Sequence, residues 1–160
     1  MIKLTNILHN IVNEAKQVGT LYHIMDKNSF TYNLTNDKIG NNKDDIISFS
    51  RSKNFKSIPN HLPEDKVFAR FTIDGNKLSN NKKIFPVDDK HYKTKNNTKD
   101  PLDWLFENED EFEERTIGVI NGIGKYIIKI EIFKNLDINT EELLKQYIKK
   151  YPSINLSLSN

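Results

Sequence analysis

At 160 residues the chain fits one domain with enough material to bury a sizeable core. Hydrophobic residues make up 36% and charged residues 29%, a balance too rich in apolar side chains for a disordered chain. A net charge of +2 argues against a dedicated nucleic-acid binder driven by phosphate neutralisation, and the absence of cysteine excludes disulfides, thiolate zinc sites and cysteine nucleophiles.

The elements follow in chain order. Leu4, Ile7, Leu8, Ile11, Val12 and Ala15 recur at helical spacing, so residues 4–16 read as an amphipathic helix ended by Gly19. "TLYHIM" is a short strand. "NSFTYNLTNDKIG" reads as a helix with Asn28 or Ser29 as N-cap and Gly40 as its stop, and "GNNKDD" as a turn. "IISFSRS" alternates, with Ile47, Phe49 and Arg51 on one face and Ser48, Ser50 and Ser52 on the other. After a proline-bearing loop, "KVFARFTIDG" is a strand with Val67, Ala69, Phe71 and Ile73 on its apolar face and Asp74-Gly75 as a turn. "NKLSNN" is a brief helical turn or loop.

Residues 79–103 are the least regular part, long enough to suggest a functional or mobile loop. The acidic run 107–114 reads by default as a solvated loop or helix face. "YIIKIEIF", residues 126–133, is the strongest strand. "NTEELLKQYIKKYP" is a helix with Thr140 as N-cap, acidic residues in its first turn and lysines in its last. "INLSL" closes the chain as an edge strand. Helices and antiparallel-type strands mix without βαβ regularity, which gives an α+β class and a single domain over 1–160.

Several chemistries find no support. His9, His23, His61 and His91 show no metal-binding spacing, and "GVINGIG" lacks the spacing and lysine of a phosphate loop. No run of about 18 apolar residues predicts a membrane span, and the N-terminus lacks the apolar region of a signal peptide. With no cysteine, the expected location is cytoplasmic. The richness in Asn, Lys and Ile suggests an AT-rich genome.

Three polar motifs remain. They are Tyr22-His23 in the first strand, Ser48-Phe49-Ser50-Arg51 in the second, and Glu111-Phe112-Glu113-Glu114-Arg115 ahead of the strongest strand. Taken singly, each has a plainer role: a packed histidine, an edge-strand face, an ion-pair arginine, a solvated acidic run. In this order they resemble the ADP-ribosyltransferase family, over residues 20–133, and look most like its small phage- or bacterial-encoded members. That resemblance implies a split antiparallel β-sheet core around an NAD cleft, with flanking helices. It implies NAD as co-substrate and a macromolecular acceptor, protein or nucleic acid, or else hydrolysis of NAD. It implies that Glu113, Glu114 and His23 are catalytic, with Glu111 as a further candidate. It also implies that Tyr22, His23, Ser48, Phe49, Ser50 and Arg51 bind NAD, with neither metal nor membrane involved. Such a protein would work in the cytoplasm, the host's if virus-encoded. The family's small Gly- or Thr-rich sequence after the histidine is absent from "HIMDKNSF".

A second class of function stays open. The basic stretch 82–99, with Phe85, His91 and Tyr92 among its lysines, has the composition of single-strand nucleic-acid contacts and would suit a non-catalytic interaction or inhibitor module.

Overall fold

The computed structural model describes residues 18–51, 53, 62–87 and 113–158, with the side chains of residues 64, 85–87 and 113 left aside. The expected N-terminal helix, most of the loop 79–103, the acidic residues 107–112 and Ser52 lie outside the described residues.

The fold is α+β, built on a seven-stranded, mostly antiparallel sheet. Its strands are β1 (Thr20–Met25), β3 (Ile46–Ser50), β4 (Ala69–Asp74), β5 (Phe85–Val87), β6 (Glu113–Ile117), β8 (Ile127–Ile132) and β9 (Asn155–Leu158). They lie in the order β5-β6-β3-β1-β4-β8-β9, and β8 and β9 are the parallel pair. Two short strands, β2 (Lys38–Ile39) and β7 (Ile120–Asn121), form a separate antiparallel ribbon. The helices are α1 (Lys27–Asn36), the single-turn α2 (Gly75–Ser79) and α3 (Ile138–Lys150).

Strand alternation divides the sheet into an apolar and a polar face. Leu21 and Met25 of β1, Ile47 and Phe49 of β3, Phe71 and Ile73 of β4, and Ile130 and Ile132 of β8 are all buried on the apolar side. Phe30 and Leu34 of α1 and Leu144 and Tyr147 of α3 join the same core. Phe30 packs its ring 5.4 Å from Phe68 and 6.0 Å from Phe71. Burying such side chains contributes about 1.5–3 kcal/mol each, the main force holding helices to sheet. Tyr22, Ser48, Ser50, Arg70, Thr72, Lys129 and Glu131 occupy the other face.

β4 also buries a charge on its polar face: the buried Arg70 pairs with the buried Glu131 across the ladder. Arg70 donates from Nε to Glu131 at 2.8 Å and from Nη1 to the Lys53 carbonyl at 2.8 Å. Its guanidinium lies 5.5 Å from the Tyr22 ring centre and 5.4 Å from that of Phe133.

Local chemistry moves several expected boundaries. Asp26, not Asn28 or Ser29, caps α1, accepting from the Ser29 amide at 2.7 Å. The helix stops at Asp37, in the left-handed region at φ 49°, three residues before Gly40. Asp137, not Thr140, caps α3, and the Thr140 amide and hydroxyl donate to it at 2.8 and 2.9 Å. At Asp74-Gly75 the expected turn is the start of a helix: Asp74 caps α2, accepting from the Lys77 amide at 2.9 Å. Gly75 allows the close approach of β1's lead-in, since a Cβ there would stand 2.5 Å from the Gly19 carbonyl oxygen. Residues 113–117 form a strand, not a solvated loop or helix face.

Candidate functional site

Registers across the sheet bring one residue from each of the three motifs into line. Tyr22 pairs with Ser50, so the next step of that antiparallel register sets His23 across from Phe49, and their ring centres are 5.7 Å apart. Phe49 pairs with Glu114 on its other side, and His23 with Phe71. A single transverse row therefore runs Glu114, Phe49, His23, Phe71, Ile130, Leu156. Two polar side chains stand in an otherwise apolar row. They are two strand spacings apart, about 10 Å.

Burial sets the state of His23. Desolvation lowers its pKa below the ordinary histidine value, and the hydrogen bond to the Ser48 carbonyl only partly offsets this. The ring is therefore neutral at neutral pH. Its Nδ1 lies 3.0 Å from that carbonyl, which can only accept, so Nδ1 carries the proton and Nε2 is left as an acceptor. His23 also walls a cavity of about 430 Å³ with Asn28, Ser29, Tyr32 and Asn33 of α1 and the turn 39–41. A neutral imidazole acceptor beside amides, a hydroxyl and a phenol suits a polar, hydroxyl-bearing small molecule.

Glu114 is the second unusual group. Its residue exposure is 2%, on the apolar face. An isolated carboxylate there would be costly, and the Arg51 guanidinium at the end of β3 forms an ion pair with it. Phe49, Arg51, His23 and Glu114 thus share one side of the sheet.

The other motif residues sit elsewhere. Ser48 pairs with Arg115 and Ser50 with Glu113. Alternation puts Ser48, Ser50 and Tyr22 on the polar face with Arg70 and Glu131, away from His23. Glu111 lies outside the described residues. Ser48 still contributes through its main chain, whose carbonyl orients His23.

Asn28, Ser29 and Asn33 are cavity residues outside the three motifs. Their signal is helical: Asn28 and Tyr32, and Ser29 and Asn33, are each four apart and so lie along one side of α1. A second cavity, about 500 Å³, lies at the β9 edge between Leu136, Leu144, Ile148, Leu156 and Leu158.

Asp37 forms a separate polar hub. It accepts from the Tyr147 hydroxyl at 2.7 Å, Lys150 Nζ at 2.9 Å, the Gly124 amide at 3.2 Å and the Tyr151 hydroxyl. Partial burial would raise its pKa, but the bonds from Tyr151, Tyr147 and Lys150 outweigh burial and hold it below the usual carboxylate range. This hub joins the end of α1 to α3 and to the turn after β7.

Among the described residues no group of three or more His, Asp or Glu side chains could hold a metal, and no helix is long and apolar enough to cross a membrane. No family model, no curated protein and no solved structure matches the chain.

Proposed function

We propose that the protein binds NAD along the His23–Phe49–Glu114 row and is a mono-ADP-ribosyltransferase. In this reading the sheet is of ADP-ribosyltransferase type. The observation that carries it is the row: the histidine, serine-arginine and glutamate motifs occupy three neighbouring strands, β1, β3 and β6, and His23 and Glu114 share a face.

The chemistry follows from those groups. The nicotinamide–ribose C–N bond breaks and its electron pair leaves with nicotinamide, which becomes neutral. Positive charge develops on the ribose, where the buried Glu114 carboxylate stabilises it. A nucleophile on the acceptor, or water, then bonds to the anomeric carbon and releases its proton to solvent. His23 Nε2 accepts from a ribose hydroxyl, and Tyr32, on the cavity wall, offers a ring for stacking. Arg51 supplies a guanidinium for a diphosphate oxygen.

Nicotinamide release from NAD, with and without host lysate, tests the reading. Wild type should release it and Glu114→Gln should lose at least about a hundredfold of that rate. Release that survives Glu114→Gln but is lost in Glu113→Gln would remove Glu114 from the chemistry and transfer the role to the neighbouring glutamate. Absence of both NAD binding and release would sink the enzyme reading in favour of an interaction module using the basic stretch 82–99, of which residues 88–99 lie outside the described part.

A further inference from the structure

Resting on that role for Glu114, we propose that Arg51 is a ligand-operated latch: it masks the Glu114 carboxylate in the empty protein and is drawn off by the diphosphate of an incoming nucleotide. The two ends of this ion pair have unequal surroundings. The Glu114 side chain is 2% exposed, whereas that of Arg51 is 47% exposed. The carboxylate is fixed in the core, while the guanidinium reaches it from the rim and can turn outward into water. Arg51 follows the last residue of β3.

A diphosphate competes well for such a group. It presents several anionic oxygens to the planar guanidinium fork, at a site where both partners keep contact with water. Moving Arg51 onto it leaves Glu114 buried with its charge less compensated. That is unfavourable unless a cation arrives beside the carboxylate, and NAD brings one in its nicotinamide ring. A ligand carrying both charges exchanges one ion pair for two. One carrying only the diphosphate gives up the Arg51 part of Glu114's compensation and brings no cation in exchange. The latch therefore penalises nucleotides that lack the cationic ring, which gives Arg51 a role in specificity beyond attraction of phosphate.

ADP serves as the probe, with adenosine as its phosphate-free control, in titration calorimetry at fixed ionic strength. Removing the competing carboxylate by Glu114→Gln should tighten ADP binding about tenfold, although it removes the group needed for turnover. Arg51→Met should weaken ADP binding, and in that background Glu114→Gln should have no further effect. Adenosine affinity should be the same in all four proteins. Unchanged or weaker ADP binding in Glu114→Gln overturns the latch, and so does an equal gain in the Arg51→Met background, which would mark simple loss of negative charge. A second measurement needs no core substitution. In wild-type protein the Arg51 Nε–Hε NMR signal, identified by its loss in Arg51→Met, should shift with ADP and stay in place with adenosine; an unmoved signal at saturating ADP also overturns the proposal. Nicotinamide release on the same samples separates the two readings. Release without Arg51–Glu114 coupling keeps the transferase and discards the latch, whereas coupling without release keeps the latch and discards the transferase.

Discussion

Burial keeps His23 neutral while the same residue in the unfolded chain titrates near its ordinary value of about 6.5. The folded pKa lies below the unfolded one, so as pH falls through about 6.5 the unfolded state takes up a proton that the folded state refuses. Stability contributed by His23 is complete above that pH and declines below it, by at most about 1.4 kcal/mol per pH unit for one proton. Urea unfolding of wild type and His23→Gln between pH 5 and 7.5 should show the steeper fall in wild type. Parallel curves would mean that His23 is protonated as easily folded as unfolded. Arg70 offers a second single-residue test. Replacing it with Met leaves Glu131 buried with only part of its compensation, for a loss of about 3 kcal/mol, and adding Glu131→Leu should recover much of that loss. If the single and double variants unfold alike, the buried pair is not what couples β4 to β8.

Helix ends carry the next level of organisation. α1 stops at Asp37 because a left-handed residue there turns its backbone, and because the carboxylate is held by Tyr147 and Lys150 of α3 and by Tyr151 just after it. Asn tolerates the same conformation but lacks the charge; Ala lacks both advantages. Asp37→Ala should cost on the order of 3 kcal/mol and Asp37→Asn roughly half as much. Equal losses in chemical denaturation would argue that backbone conformation, not the charge, matters at this joint. Gly124 enters the same hub from the other side: a Cβ there would stand 2.3 Å from the Tyr151 ring. Gly124→Ala should therefore push that ring away from Asp37 and destabilise by about 1–3 kcal/mol.

Across the whole molecule these groups define two pH windows. Asp37 and Glu131 are held below their usual carboxylate values: burial opposes this at both, but Asp37 is held by Tyr151, Tyr147 and Lys150, and Glu131 by Lys129 and Arg70. Asp137 is held low by Lys27 and by the Thr140 amide and hydroxyl. Their folded pKa values are depressed, so their stabilisation is present above the unfolded value, about 4, and is lost as pH falls through the folded values. Stability should thus decline in two stages on acidification, first below about 6.5 through His23 and then below about 4 through the carboxylates. A denaturation series from pH 7.5 to 2.5 checks this. His23→Gln should remove only the first stage and Asp37→Asn should reduce only the second.

Much of the architecture is legible in side-chain period. Alternating Val, Phe, Ile and Ala residues marked β4, the Ile-rich run marked β8, and acidic-to-basic grading marked α3, since each signal is local and repeats within the element. The caps lie two or three residues before the expected positions because several Asp, Asn, Ser and Thr residues near each helix start can all cap, and backbone geometry selects one. β6 was hidden for a different reason. "EERTI" has little apolar alternation, and Glu114 and Arg115 are buried through pairing that no local pattern announces. The sequence therefore established the α+β class, the main strands and the three polar motifs, all of which depend on neighbours a few residues apart. Tertiary register settled which motif residues meet. It joined His23 to Glu114 through Phe49 and turned Ser48, Ser50 and Tyr22 to the opposite side, because a one-residue difference in strand pairing reverses the face a side chain occupies.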